Sequence, residues 1–227
     1  MSHELRTPIT IISGFGRLLL NESQGSLGPE QHRYVEQSLK ACRKLDRFVG
    51  DLLEASPESG TPLAIEPREA DLAETIRALL ESLTPVLEER EQRIETRLGT
   101  LPRFSFDPGR IEQVLTNLLS NAVRYGRDGG TIRIRTELES GPAGADFARV
   151  CVEDDGPGIP EADRERLFEP YVRGDEGSRC EGLGIGLAIC RRIIASHGGS
   201  IHVAPSDLGG ARFVFTLPRG ATAAVEG

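Results

Sequence analysis

The sequence predicts an α+β protein in two parts, an N-terminal antiparallel helical hairpin followed by an α/β sandwich. Three observations predict it. In the first 56 positions apolar residues recur every three or four places, in two runs divided by a glycine-containing break. The run SPESGTP at 56–62 then carries two prolines and a glycine with no apolar period, which is the composition of a linker. Beyond it, strand-like and helix-like stretches mix without regular βαβ alternation, which favours a sandwich over a doubly wound parallel sheet. The expected divisions are a dimerisation hairpin at 1–56, a linker at 57–62, a second domain at 63–219 and a disordered tail of small and polar residues at 220–227.

The elements follow in order. Leu5, Ile9, Ile12, Gly16 and Leu19 make the first helical stripe, and Val35, Leu39, Cys42, Leu45, Val49 and Leu52 the second. The break between them is QGSLGP at 24–29, where Pro29 and Glu30 suit the first turn of the second helix. Pro8 should bend the first helix. Two helices alone bury two such stripes poorly, so the hairpin either dimerises into a four-helix bundle or docks on its own second domain. In that domain a strand is expected at 63–67, a helix at 71–90, strands at 93–98 and 103–106, and a helix at 109–125. Strands at 130–138 and 147–154, a short helix at 161–167, a glycine-rich loop, a helix at 184–197 and strands at 200–204 and 211–217 complete it. Asp107 and Pro108 are an N-cap and first-turn pair, and Gly126 is a helix stop. Ile111, Val114, Leu115, Leu118, Leu119 and Ala122 form one core stripe between them.

Composition removes several classes of function. Apolar residues at 38% and charged residues at 27%, without low-complexity tracts, describe a globular chain rather than a disordered one. A net charge of −8 and an aromatic content of 5% argue against a nucleic-acid binder, which needs basic surface and stacking residues. No stretch approaches the ~20 apolar residues of a membrane span, and the first residues are not a signal peptide. Cys42, Cys151, Cys180 and Cys190 have no metal-ligand spacing, so free thiols in a reducing, cytoplasmic setting are expected. His32, His197 and His202 read as surface or strand histidines rather than ligands.

Four blocks carry candidate chemistry. In SHELRTP at 2–8, His3 adjoins Glu4 and shares a helix face with Thr7, four residues on. A neutral imidazole is a nucleophile, and a carboxylate beside it can fix its tautomer and accept its proton. In the helix at 109–125, Asn117, Asn121 and Arg124 fall within an arc of about 60° at about 100° per residue. Amide oxygens are hard donors suited to Mg²⁺, and a guanidinium suits phosphate. The strand ending in Glu153-Asp154-Asp155 opens into Gly156-Pro157-Gly158, where a buried carboxylate could accept an exocyclic amine and glycine lets backbone approach a flat ligand. Finally, Phe168 and Tyr171 precede a glycine- and charge-rich loop that closes in Gly182-Leu183-Gly184-Ile185-Gly186 and runs into a helix, whose first N–H groups are a place for phosphate.

Taken together, SHELRTP, NLLSNAVRYG, DDGPGIP, LFEPYVRGD and GLGIGLAI, in this order, resemble the phospho-acceptor, N, first glycine, F and second glycine boxes of sensor histidine kinases of two-component systems. The resemblance covers essentially the whole chain. It implies a dimerisation and phosphotransfer hairpin followed by an ATP-binding sandwich of the Bergerat (GHKL) type, with ATP and Mg²⁺ as ligands. His3 would be the phosphorylated residue, Glu4 its hydrogen-bonding partner or base, and Thr7 the position implicated in dephosphorylating the regulator. Asn121 would coordinate Mg²⁺ with Asn117 close by, and Arg124 and Tyr125 would reach phosphates. Asp154 would read adenine in a pocket shaped by Gly156 and Gly158, and Gly182, Gly184 and Gly186 would close over the nucleotide. Phe168, Arg173 and Leu183 complete the expected ATP-binding set.

ATPases of the same fold carry a glutamate one helical turn before the metal-binding Asn. Here that place is Asn117, which is no base, so the resemblance implies a kinase. The implied partners are a second copy, through the hairpin, and the receiver domain of a response regulator. Family members have a further helical stretch before the acceptor His and often a membrane-bound sensor, so a membrane would be reached only through residues preceding this sequence. With His3 third in the chain, the alternative is an ATP-binding dimeric scaffold whose shortened acceptor helix is inactive in autophosphorylation.

Overall fold

The computed structural model describes residues 2–20, 27–55, 63–140, 146–172 and 184–219. The expected linker at 57–62 and tail at 220–227, together with Arg173, Cys180, Gly182 and Leu183, lie outside the described residues. The chain divides into two compact units, Met1–Ser59 and Gly60–Gly227.

The first unit is a pair of helices, α1 (Ser2–Leu20) and α2 (Pro29–Ala55). α1 is continuous through Pro8. Pro29 opens α2, and the Gln31 side chain accepts the Gly28 N–H at 2.9 Å just before it. The seam between the helices buries Ile9, Leu39, Cys42 and Val49. At Gly16 the two approach closely, since a Cβ there would lie 2.9 Å from Leu39 Cδ2. Ile12, Leu19 and Leu45, expected on the buried stripes, are exposed along with Ile11, Phe15 and Leu18. A single seam between two helices covers only a narrow arc of each, and these stripes are wider than one seam.

The second unit joins three helices to a five-stranded sheet. In chain order it contains β1 (Arg68–Ala70), α3 (Leu72–Glu89), β2 (Arg93–Leu98), β3 (Phe104–Phe106), α4 (Pro108–Tyr125), β4 (Thr131–Ser140) and β5 (Asp146–Glu153). Two 3₁₀ turns (Glu161–Asp163 and Arg166–Phe168), α5 (Gly186–Ser196), β6 (Ile201–Pro205) and β7 (Ala211–Pro218) follow. The sheet order is β2-β4-β5-β7-β6, parallel between β2 and β4 and antiparallel elsewhere, and β1 and β3 form a separate antiparallel pair.

The strand expected at 63–67 lies at Arg68–Ala70 instead. Its partner β3 is only three residues long and is followed by Asp107, whose carboxylate accepts the Glu66 N–H at 2.9 Å. The residues before Arg68 therefore meet a helix cap rather than a strand, and Pro67 has no N–H to offer a ladder. The short helix expected at 161–167 is the two 3₁₀ turns.

The core lies between the helices and one face of the sheet. Ile111, Val114, Leu115, Leu118 and Leu119 of α4 are buried against Ile132, Ile134, Val150, Val152, Phe213 and Phe215, and Ile189, Ile193 and Ile194 of α5 join them. The other face carries a lattice of charges across the strands. Arg133 meets Glu95 at 2.8 Å, Arg149 meets Glu137 at 3.5 Å, and Arg212 meets Asp207 at 2.6 Å. Every cation in that lattice is arginine, and the two lysines of the sequence, Lys40 and Lys44, both lie in α2. Among the described residues, no helix is long and apolar enough to cross a membrane.

Candidate functional site

The site begins where β5 ends. Asp154 is buried, and its Oδ1 accepts the Gly156 N–H at 2.9 Å and the Ala211 N–H at 3.1 Å, while its own N–H donates to the Ala211 carbonyl at 3.0 Å. Backbone fills the space around it. A Cβ on Gly156 would lie 2.5 Å from the Tyr125 carbonyl oxygen, and one on Gly210 would lie 2.5 Å from the Asp154 carbonyl oxygen and the Gly156 nitrogen. Gly158, at φ +74°, turns the chain away beside the Gly210 carbonyl. Burial pushes the Asp154 carboxyl above its ordinary value and the neighbouring Asp155 charge adds to this, against the pull of the two N–H bonds. Both bonds fall on Oδ1, and among the described residues no hydrogen bond reaches Oδ2. A free acceptor oxygen on a buried residue, edged by glycine backbone, suits a planar ligand that carries an amine.

The acids on either side of Asp154 do other work, and sequence reasoning did not find it. Asp155 accepts the Arg127 N–H at 3.2 Å and the Thr131 N–H at 2.8 Å, which ties the turn after α4 to the end of β5. Glu153 is fully buried on the opposite face of the sheet, paired with Arg135 and Arg212.

α4 supplies the second wall. Asp107 caps its start by accepting the Arg110 N–H at 3.1 Å. At its other end the Val123 carbonyl accepts from Arg90 and from Gln92 Nε2, the latter at 3.1 Å. Asn117 and Asn121 are half-buried one turn apart, with Arg124 and Tyr125 exposed beyond them. Asn117 Nδ2 donates to the Gly186 carbonyl at 3.3 Å and lies 3.7 Å from Cys190 Sγ, which joins α4 to the start of α5. Among the described residues the Asn117 amide oxygen accepts no hydrogen bond, and no group of three His, Cys, Asp or Glu side chains forms a metal cluster. The donors that α4 offers are amide oxygens. They fit Mg²⁺, a hard ion that completes its shell with water and phosphate oxygens.

The third wall is the start of α5. Gly186 opens this helix and no side chain caps it, so its first N–H groups are available to an anion. Just before it, Gly184 takes φ +69° and its carbonyl accepts the Tyr171 N–H at 3.0 Å. Tyr171 itself is at φ +67°. Phe168 is buried, edge-on to Phe213 with ring centroids 6.5 Å apart, and anchors the chain entering this region. Glycine positions 156, 158, 184 and 186, Asn117, Asn121 and Asp154 are thus placed on α4, the end of β5 and the start of α5. His3, Glu4 and Thr7 fall in the first turns of α1, in the other unit.

His197 is not on the surface. It is buried at the end of α5, where its Nδ1 donates to the Ile193 carbonyl at 2.8 Å and its Nε2 accepts the Asp107 N–H at 3.1 Å. It bolts the end of α5 to the start of α4. Burial pushes the Asp107 carboxyl up, but N–H groups of Glu66, Arg110 and Gly109 and the nearby His197 ring outweigh it and hold the group below its ordinary value.

Comparison with known proteins matches this division. Residues 1–59 match the His Kinase A (phospho-acceptor) domain, and residues 106–221 match the family of histidine kinase-, DNA gyrase B-, and HSP90-like ATPases. The adaptive-response sensory kinase SasA of Synechococcus sp. (strain JA-3-3Ab) is 36% identical over 219 residues, covering 95% of this chain and 57% of the relative. The alginate biosynthesis sensor protein KinB of Pseudomonas aeruginosa is 33% identical, over 96% of this chain and 36% of its own length. The chain thus spans little more than half the length of the first of these relatives, and less of the other. Among solved structures, full-length ShkA in complex with AMPPNP is 31% identical with a TM-score of 0.77, over 96% of this chain and 44% of that one. The catalytic domain of histidine kinase ThkA is 30% identical with a TM-score of 0.57, over 68% of this chain and 99% of that one. An acceptor hairpin followed by a Bergerat-type ATP-binding domain places this chain in the sensor histidine kinase family, as a transmitter region.

Proposed function

We propose that this chain is the ATP-dependent kinase core of a two-component system, phosphorylated on His3 and passing the phosphoryl group to an aspartate of a response regulator. The observation that carries this is the buried residue Asp154, whose Oδ2 has no hydrogen-bond partner among the described residues, within a wall of glycine backbone that also meets α4. In this reading Asp154 accepts the adenine amine, Arg124 and Tyr125 reach toward the phosphates, and the open N–H groups of α5 hold them. Asn121, with Asn117 beside it, holds Mg²⁺, which when bound neutralises phosphate charge.

The reacting groups are few. A neutral His3 imidazole nitrogen attacks the γ-phosphorus, a new N–P bond forms, and the P–O bond to the β-phosphate breaks to release ADP. Glu4 takes the proton that the ring gives up. Phosphohistidine then donates the same phosphoryl group to a regulator carboxylate. Thr7, four residues after His3 in the sequence, serves dephosphorylation of the regulator, in which water takes the phosphoryl group from the aspartate and inorganic phosphate leaves. Asn117 stands where a water-activating glutamate would make an ATPase. Its amide Nδ2 joins α4 to α5, and an amide cannot take a proton from water as a carboxylate can, which supports transfer to histidine over hydrolysis.

Two copies are expected to associate through the hairpin, because Ile11, Ile12, Phe15 and Leu18 are apolar and exposed on α1. Relatives named as kinases across 95% of the chain favour this reading over an inactive scaffold. The test is incubation with γ-labelled ATP and Mg²⁺ beside His3→Gln and Asn121→Ala. Acid-labile, base-stable label lost in both variants is the expected result. Label that persists in His3→Gln overturns the acceptor assignment, and ATP binding that is indifferent to Asp154→Asn overturns the nucleotide site.

A further inference from the structure

One of the two hydrogen bonds that hold Asp154 comes from Ala211, the residue that follows a turn, and that turn is held in its own right. Residues 206–210 link β6 to β7. The Ser206 N–H donates to the Gly210 carbonyl at 2.9 Å, the Gly209 N–H donates to the Ser206 carbonyl at 3.0 Å, and Gly209 takes φ +101°. The residue that leaves this turn is Ala211, whose N–H is one of the two donors to Asp154. Gly210 lies so close to Asp154 that a Cβ would have no room. The turn is therefore one wall of the Asp154 site.

Strand alternation puts Glu153 on the face opposite Asp154. Val150 and Val152 belong to the core face, whereas Glu153 lies among Arg135, Arg212 and Asp207. Glu153 Oε1 is paired with Arg135, and its Oε2 accepts the Ser206 hydroxyl at 3.2 Å and faces Arg212 Nε at 3.6 Å. Ser206 Oγ in turn accepts the Leu208 N–H at 3.0 Å. Asp207 closes the ring, 2.6 Å from Arg212 and 3.8 Å from Arg135. A carboxylate with no exposed surface is costly to bury, and here its partners sit on the turn and on the two neighbouring strands. Consecutive acids thus grip one turn from its two sides, Glu153 through Ser206 and Arg212 and Asp154 through Ala211.

We propose that Glu153 is a positioning residue for nucleotide selection. It sets the turn at 206–210 so that the Ala211 N–H keeps Asp154 Oδ1 engaged and Oδ2 directed at the ligand's amine. This rests on the reading of Asp154 as the adenine acceptor.

The test measures affinity of the full chain for ATP and for purine riboside triphosphate, which lacks the 6-amine, in Glu153→Gln, Ser206→Ala and Asp154→Asn. Asp154→Asn checks the underlying reading, since it must weaken ATP much more than the amine-free analogue. Glu153→Gln keeps the shape and one hydrogen bond but leaves Arg135 and Arg212 without their buried counter-charge. It is expected to weaken ATP about tenfold and the analogue by less than about twofold. Ser206→Ala, a milder change that leaves the ion pairs intact, is expected to show the same selectivity at about threefold. Combining Glu153→Gln with Asp154→Asn is expected to add nothing further. If Asp154→Asn discriminates between the two nucleotides while Glu153→Gln and Ser206→Ala weaken both equally or neither, the positioning role is wrong and the adenine reading stands. If Asp154→Asn does not discriminate, the adenine reading itself fails.

Discussion

Asp154 and Asp107 are shifted in opposite directions, and each shift has its own consequence. Burial leads in raising Asp154, so the folded chain binds a proton there more tightly than the unfolded chain does. The ionised group therefore costs stability above its folded value, and that cost is relieved as the pH falls toward the ordinary 3.8. Asp154→Asn is accordingly expected to fold as stably as the parent or more so at neutral pH, while ATP affinity falls by tenfold or so. Denaturant titration and calorimetric binding on the same samples check the pair, and a variant that loses both together contradicts it. Protonation also removes an acceptor, so ATP affinity should decline on acidification at a pH above that of an unshifted carboxylate. Asp107 runs the other way. Its folded value is depressed, so its contribution is present above the ordinary 3.8 and is lost as the pH falls through the lower folded value. Asp107→Ala is expected to cost about 1–2 kcal/mol, and Asp107→Asn less, because asparagine also caps. Unfolding measured at pH 7 separates them.

At the scale of elements, the site depends on α4 and α5 holding their relation, and two side chains secure it. Asn117 joins the middle of α4 to the start of α5, and His197 joins the end of α5 to the start of α4. His197→Ala leaves the Asp107 N–H without its partner and the Ile193 carbonyl with only the backbone N–H of residue 197, at a cost of about 2 kcal/mol. Thermal unfolding followed by circular dichroism should show it, and an unchanged midpoint would mean that water replaces the ring at no cost. These two ties also mark what the sequence could and could not tell. Apolar period, caps and glycine stops located α4, β2 and β7 almost to the residue, because those signals are local. The arc of Asn117, Asn121 and Arg124 was equally readable from helical geometry. Neither the Asn117–Gly186 bond nor the Asp107–His197 bond was, since each joins residues that only the fold brings together. The strand at 68–70 was misplaced for a related reason. Its limits are set by a short partner and by a cap 41 residues away, not by its own composition.

At the scale of the molecule, the two units are built for different lives. The ATP-binding unit closes a full core around α4, whereas the hairpin leaves Ile11, Ile12, Phe15, Leu18 and Leu45 exposed. Helical content contributed by the hairpin should therefore melt at a temperature that rises with protein concentration, while melting of the ATP-binding unit should not depend on it. Concentration-independent melting of both would mean that no second copy covers that face. Gly16→Leu, which forces a side chain into Leu39, is expected to lower the first transition and leave the second in place. The arginine lattice on the outer sheet has a practical corollary. From Gly60 onward the sequence contains no lysine, so side-chain amines occur only at Lys40 and Lys44 of α2. Amine-reactive dyes, acylating reagents and lysine cross-linkers will mark the hairpin and leave the side chains of the nucleotide-binding unit untouched. The chain can thus be tethered or made fluorescent in bulk without any label reaching a side chain at the ATP site.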